Sequence, residues 1–204
     1  MIQLKLSNKD VVLIDPEGIV CMYVVGDHKD ERIRTYIQMS DNVEDMITVI
    51  SSIAKILKQL PNKNDFVKVN KDQFINKKRV TSILVDDDPY DTVTLCIGGG
   101  SEGDSVDVDG NSFKKELAEL TENMFRLPTS HMASSDQFWL SLKNISSFSI
   151  NDSKHNSPDV QVTINYTRGE VERFDVSPET GCMLLNKFKE NLIANELEKA
   201  LGQL

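Results

Sequence analysis

Residues 105–116, SVDVDGNSFKKE, are the chain's sharpest match to a chemical site. A calcium loop of the EF-hand kind takes oxygen ligands at positions 1, 3 and 5, Gly at 6 and a bidentate Glu at 12. Ser105, Asp107, Asp109, Gly110 and Glu116 stand at those places. Position 1 is Ser instead of Asp, position 8 is the polar Ser112, and the preceding TVTLCIGGG alternates as a strand does. A strand, a turn and a helix cap account for the same letters, so no metal site is expected.

The other acidic and glycine-rich stretches point the same way. DDDPYD at 86–91 crowds four Asp around Pro89 and Tyr90. Such carboxylates can hold a metal or shift one another's pKa, but a proline-driven turn in a solvated loop explains them too. No nucleophile with a partner base is readable nearby, so no catalytic residue is expected. GGG at 98–100 is followed by SEGD instead of the Lys and Ser/Thr of a phosphate loop, and reads as a hairpin tip. No pair among Cys21, Cys96 and Cys182 has metal-ligand spacing, and His28, His131 and His155 all fall in polar loops. The thiols read as buried and reduced. No cofactor is implied.

One basic stretch interleaves aromatics. NKNDFVKVNKDQFINKKR at 62–79 places Phe66 and Phe74 among Lys68, Lys71, Lys77, Lys78 and Arg79, the combination that holds phosphates and stacks bases of a single strand. Its bland reading puts both rings in the core and leaves the lysines as a solvated rim. The stretch is +4, residues 80–125 are −9, and the whole 204-residue chain is −9, which disfavours non-specific binding to nucleic acid.

MIQLKLSNKD lacks the basic flank and apolar run of a secretory leader, and no stretch approaches the length of a membrane span. A cytoplasmic protein is expected, so the three Asn-x-Ser/Thr triplets carry no glycosylation argument. SHMAS at 130–134 is either a native Ser-rich linker or a cloning scar, and 126–137 is a connection in both cases.

The elements that must position these residues recur. VLIDPEGIVCMYV, FINKKRVTSILV and WLSLKNISSFSI each join two apolar runs through a short polar turn. Matching positions, Ile14, Ile75 and Leu140, or Ile19, Val80 and Ile145, are spaced by 61 and then 65 residues. After each turn come a polar loop, an alternating run (TYIQMS, TVTLCIG, VQVTINY), a fourth apolar element and a helical period. Ser51, Ser112 and the SPET at 177–180 read as helix starts. The expected fold is α+β: three tandem units of ~60 residues, each an antiparallel four-stranded sheet followed by one helix. Repeat 1 is 1–61, repeat 2 is 62–125 and packs with it, 126–137 is the linker, and repeat 3 is 138–204 with a long last helix.

In outline, MIQLKLSNKD with VVLIDPEGIVCMYV, TYIQMS and a closing helix resembles the small FlbD-type flagellar proteins. The layout of three such units resembles the PUR-repeat proteins, which bind single-stranded nucleic acid. That resemblance implies that two repeats pair within the chain and the third pairs with another chain. The apolar stripe of MLLNKFKENLIANELEKALGQL continues through Leu192, Leu197, Leu201 and Leu204, which marks it as a homodimer interface. The acidic balance, the repeats and the lack of a catalytic constellation favour a non-enzymatic protein-interaction module with an unidentified protein partner. Binding of single-stranded DNA or RNA through 62–79 is the alternative.

Overall fold

A computed structural model describes residues 1–6, 8–26, 29–39, 46–86, 92–97, 104–127, 137–143, 145–152, 158–167 and 171–201. The chain forms two compact units, Met1–Val80 and Thr81–Leu204. Both are α+β with antiparallel sheets.

In the first unit, β1 (Ile2–Lys5) pairs with β2 (Val11–Ile14). Asp15 then accepts from the Glu17 backbone N–H, and Pro16 begins a 3-10 turn ending at Gly18. This is the pre-set φ of proline used at a first helical position. The chain continues through β3 (Cys21–Val24), β4 (Thr35–Gln38), β5 (Met46–Val49) and α1 (Ile53–Leu57). The hairpin β6 (Phe66–Asn70) and β7 (Gln73–Asn76) follows, and its second strand returns to β3, giving the order β5-β4-β3-β7-β6. Ile2, Leu4, Met22, Ile37, Ile53 and Ile56 meet in one core. Each buried aliphatic side chain there contributes about 1.5–3 kcal/mol.

The second unit repeats that order of elements. β8 (Val80–Val85), β9 (Thr92–Ile97), β10 (Asp104–Asp109) and α2 (Gly110–Thr121) precede the hairpin β11 (Phe125–Arg126) and β12 (Gln137–Leu140). β12 pairs with β8, giving the order β10-β9-β8-β12-β11. Strict alternation in β9 buries Val93, Leu95 and Ile97 on one face. A further sheet, β13 (Ile145–Asp152), β14 (Val160–Tyr166) and β15 (Val171–Val176), is followed by α3 (Pro178–Leu201). Val162, Ile164 and Leu184 anchor a core to which Phe138 adds an edge-on contact with Phe174 at 5.7 Å. Among the described residues no helix is long and apolar enough to cross a membrane.

Several expectations need correction. Among the described residues the sheets are two-, five-, five- and three-stranded instead of four-stranded, because β7 and β12, each still paired with its hairpin mate, add that hairpin to the sheets of β3 and β8. A short strand ahead of each turn, IQLK, FVKVN and FR, had no place in the four-strand outline. The helix signals shift as well. Ser52 stands at the cap of α1 with no side-chain bond, whereas Asp109 caps α2 by accepting from the Asn111 N–H, three residues before Ser112, which takes up an interior place. Ser177 does open α3, accepting from the Thr180 N–H at 3.2 Å. Of the connection at 126–137, Arg126 and Gln137 lie in the strands β11 and β12, and SHMAS lies outside the described residues.

Candidate functional site

The basic stretch is spread over a hairpin and two turns. Asn62 caps the 3-10 turn Lys63–Asp65, and Asn76 caps a second at Lys77–Arg79 by accepting from the Lys78 N–H. Asn76 also donates through its side chain to the Ile19 carbonyl, which ties that turn to the sheet. The two rings go inward: Phe66 is buried in the core, and Phe74 packs half-buried against the same cluster. Arg79 is buried and Lys77 half-buried. Lys68 and Lys71 are exposed, and Lys78 is salt-bridged to Asp65 at 2.8 Å. Both rings thus pack toward the core while Lys68, Lys71 and Lys78 stay at the surface.

The calcium-like letters resolve into a strand and a helix. Ser105, Asp107 and Asp109 share the exposed face of β10, and Glu116 sits in the second turn of α2. Asp107 accepts from the Thr94 hydroxyl at 2.7 Å, and Asp109 is committed to its cap. Among the described residues no group of three or more His, Cys, Asp or Glu is placed to hold a metal. Most of DDDPYD, GGG and the three histidines lie outside the described residues.

Two interior polar clusters were not legible in the sequence. In the first unit the Cys21 thiol donates to Gln38 Oε1 at 2.9 Å, and the Tyr23 hydroxyl reaches the same oxygen at 3.2 Å. In the second, the buried Glu172 accepts through one oxygen from Thr81 and Ser82. Burial pushes the nearby Cys96 thiol up, Ser82 partly opposes it by hydrogen bonding, and Glu172 and Asp107 push the same way as burial. A thiol held protonated is a poor nucleophile. Cys182, expected to be buried, is exposed on α3.

Exposed large apolar side chains are unevenly placed. Met1, Val11 and Leu13 lie on the first hairpin or beside it, and Leu192, Ile193 and Leu197 lie on the second half of α3; the only other such residue among those described is Val24. Leu201 lies in α3, though its side chain and Leu204 are outside the described residues. Trp139 is half-buried, with the Arg126 guanidinium 5.4 Å above its ring.

No protein-family model matches this chain, and no curated protein matches it. Among solved structures, the LytTr DNA-binding domain of a methyl-accepting/DNA response regulator from Bacillus cereus is similar over 58% of this chain and 94% of that one, with 17% identity and a TM-score of 0.40. A similarity at that score carries no argument about what this chain does.

Proposed function

We propose that this chain is a non-enzymatic, cytoplasmic protein-interaction module that self-associates, built from three copies of one strand-and-helix unit. The observation that carries it is the concentration of exposed apolar side chains on the first hairpin and the end of α3, while the aromatics of the basic stretch are turned inward. Apolar patches of this kind are where soluble proteins meet partners. The three-copy layout is supported by the turn itself. Asp15, Asn76 and Ser141, spaced by 61 and 65 residues, each accept through the side chain from the backbone N–H two residues on. Each copy needs that local bond because it fixes the exit direction from a hairpin into the next strand.

The alternative, a single-strand binder using 62–79, is separated by titration with labelled single-stranded DNA and RNA at low and at physiological salt. The interaction reading expects no micromolar binding. Tight binding with a steep salt slope replaces it by the alternative.

A further inference from the structure

We propose that the first hairpin, β1–β2, of one copy of this chain adds to the open edge of β13 in a second copy, a head-to-tail joint of the kind the chain already makes twice within itself. The inference rests on the interaction reading and the three-copy layout above.

The two internal joints share one register. In the first, Cys21 faces Ile75 and Met22 faces Phe74; in the second, Ser82 faces Leu140 and Ile83 faces Trp139. Receiving strands are displaced by 61 residues, incoming hairpins by 65, the repeat spacings themselves. Each joint is closed by the same backbone bond, Asn76 N–H to the Val20 carbonyl at 3.0 Å and Ser141 N–H to the Thr81 carbonyl at 2.8 Å. A third receiving strand and a third hairpin exist. Among the described residues, β13 has only β14 beside it and β2 has only β1. The same displacements set Ile14 against Ser147, Leu13 against Phe148 and Val11 against Ile150, and bring the Asp15 N–H to the Ser146 carbonyl.

Side chains fit that register. Directly opposed residues in an antiparallel pair project from the same face. Leu13, 62% exposed in the single chain, would enter beside Phe148, which stacks on Phe188 of α3 with centroids 5.6 Å apart. Leu192 follows Phe188 one helical turn on, so the exposed end of α3 extends the same apolar stripe. In the first unit Phe74, the counterpart of Leu13, packs against the cluster that contains Met22 and Ile53 and Ile56 of α1. An incoming apolar side chain set between sheet and helix is thus the arrangement already present within the first unit. Unpaired strand edges flanked by apolar side chains are templates for strand addition, and a partner of identical sequence supplies the matching edge. The joint is heterologous, so copies link in an open series or close in a ring.

The test uses the full chain at micromolar to hundred-micromolar concentration, followed by light scattering. Wild type is expected at multiples of the 23.0 kDa chain. Leu13→Pro, at an exposed edge position, removes an edge N–H and is expected at the mass of one chain with an unchanged circular dichroism spectrum. In a Cys182→Ser background, mixed Leu13→Cys and Phe148→Cys proteins are expected to form a disulfide-linked pair containing one of each, since opposed residues lie within disulfide reach. A wild type that stays at one chain mass, or a folded Leu13→Pro protein that keeps the wild-type mass, overturns the joint, the latter assigning association to another surface such as α3. Absence of the mixed disulfide overturns the register. A wild type at one chain mass also removes self-association from the interaction reading, whereas a folded Leu13→Pro protein at the wild-type mass, or a missing mixed disulfide, leaves that reading standing; the nucleic-acid titration tests it separately.

Discussion

Glu172 Oε1 in β15 lies 2.8 Å from the Ser82 hydroxyl and 2.9 Å from the Thr81 hydroxyl, both at the start of β8 and about ninety residues away in sequence. With the Glu172 residue only 7% exposed, those two donors replace the water a carboxylate would otherwise hold. Removing them together, by Thr81→Val with Ser82→Ala, leaves the acceptor unsatisfied and is expected to cost about 1–3 kcal/mol in urea unfolding. Glu172→Gln keeps an accepting oxygen and should cost less. A double variant as stable as wild type would show that the carboxylate finds another donor.

The thiols should separate by accessibility. Cys182 is exposed while Cys21 is buried and Cys96 half-buried with its thiol pushed up, so one thiol per chain is expected to react promptly with a disulfide reagent at neutral pH. The Cys96 shift also sets a pH dependence. An unfolded chain releases that proton near pH 8.5, at the ordinary thiol value. The folded chain holds the proton to higher pH, so above that point the unfolded state binds fewer protons and stability falls as pH rises. Below it the contribution is constant. Urea midpoints at neutral and at alkaline pH should show wild type losing more than Cys96→Ala.

Gly181 in the first turn of α3 has no room for a side chain. A Cβ there would meet Val160 Cγ2 at 2.9 Å and Ile150 Cδ1 at 3.5 Å, on the sheet that α3 covers. Gly181→Ala therefore overpacks the helix–sheet contact, outweighing the helix propensity of alanine, and is expected to destabilise by about 1–3 kcal/mol. A raised melting temperature would mean that the helix shifts at no cost.

The basic stretch calls for selective substitution. Changing Lys77, Lys78 and Arg79 together to Glu buries a carboxylate at position 79, so a melting temperature lowered by many degrees is expected. Lys68→Glu with Lys71→Glu touches two exposed side chains and should leave the melt within a degree or two. Only this second variant can report on phosphate contacts without reporting on folding.

Calcium should leave the protein unchanged. Asp107 and Asp109 already serve Thr94 and the α2 cap, and Glu116 lies in the second turn of α2. Melting in millimolar calcium and in chelator is expected to coincide. A rise of several degrees with calcium would reveal a ligand bound only by the folded state.

Period and turn chemistry made much of the architecture legible in advance. The alternation in TVTLCI and VQVTINY marked β9 and β14, and apolar spacing of three and four placed Leu184 and Phe188 on the inner side of α3. The recurrent Asp15, Asn76 and Ser141 turns were readable because a side chain bonding two residues along needs only local sequence. Strand pairing was not, since period 2 gives a face but names no neighbour. That β7 joins β3, and β12 joins β8, is decided by which edge a hairpin meets once the chain has collapsed. Burial is equally non-local: the letters of 62–79 fitted a stacking surface, and only packing against α1 and β3 turned Phe66 and Phe74 inward. Glu172 is the plainest case. Nothing near it in sequence suggests a buried carboxylate, because the hydroxyls that make its burial tolerable arrive from a strand the tertiary fold alone brings to it.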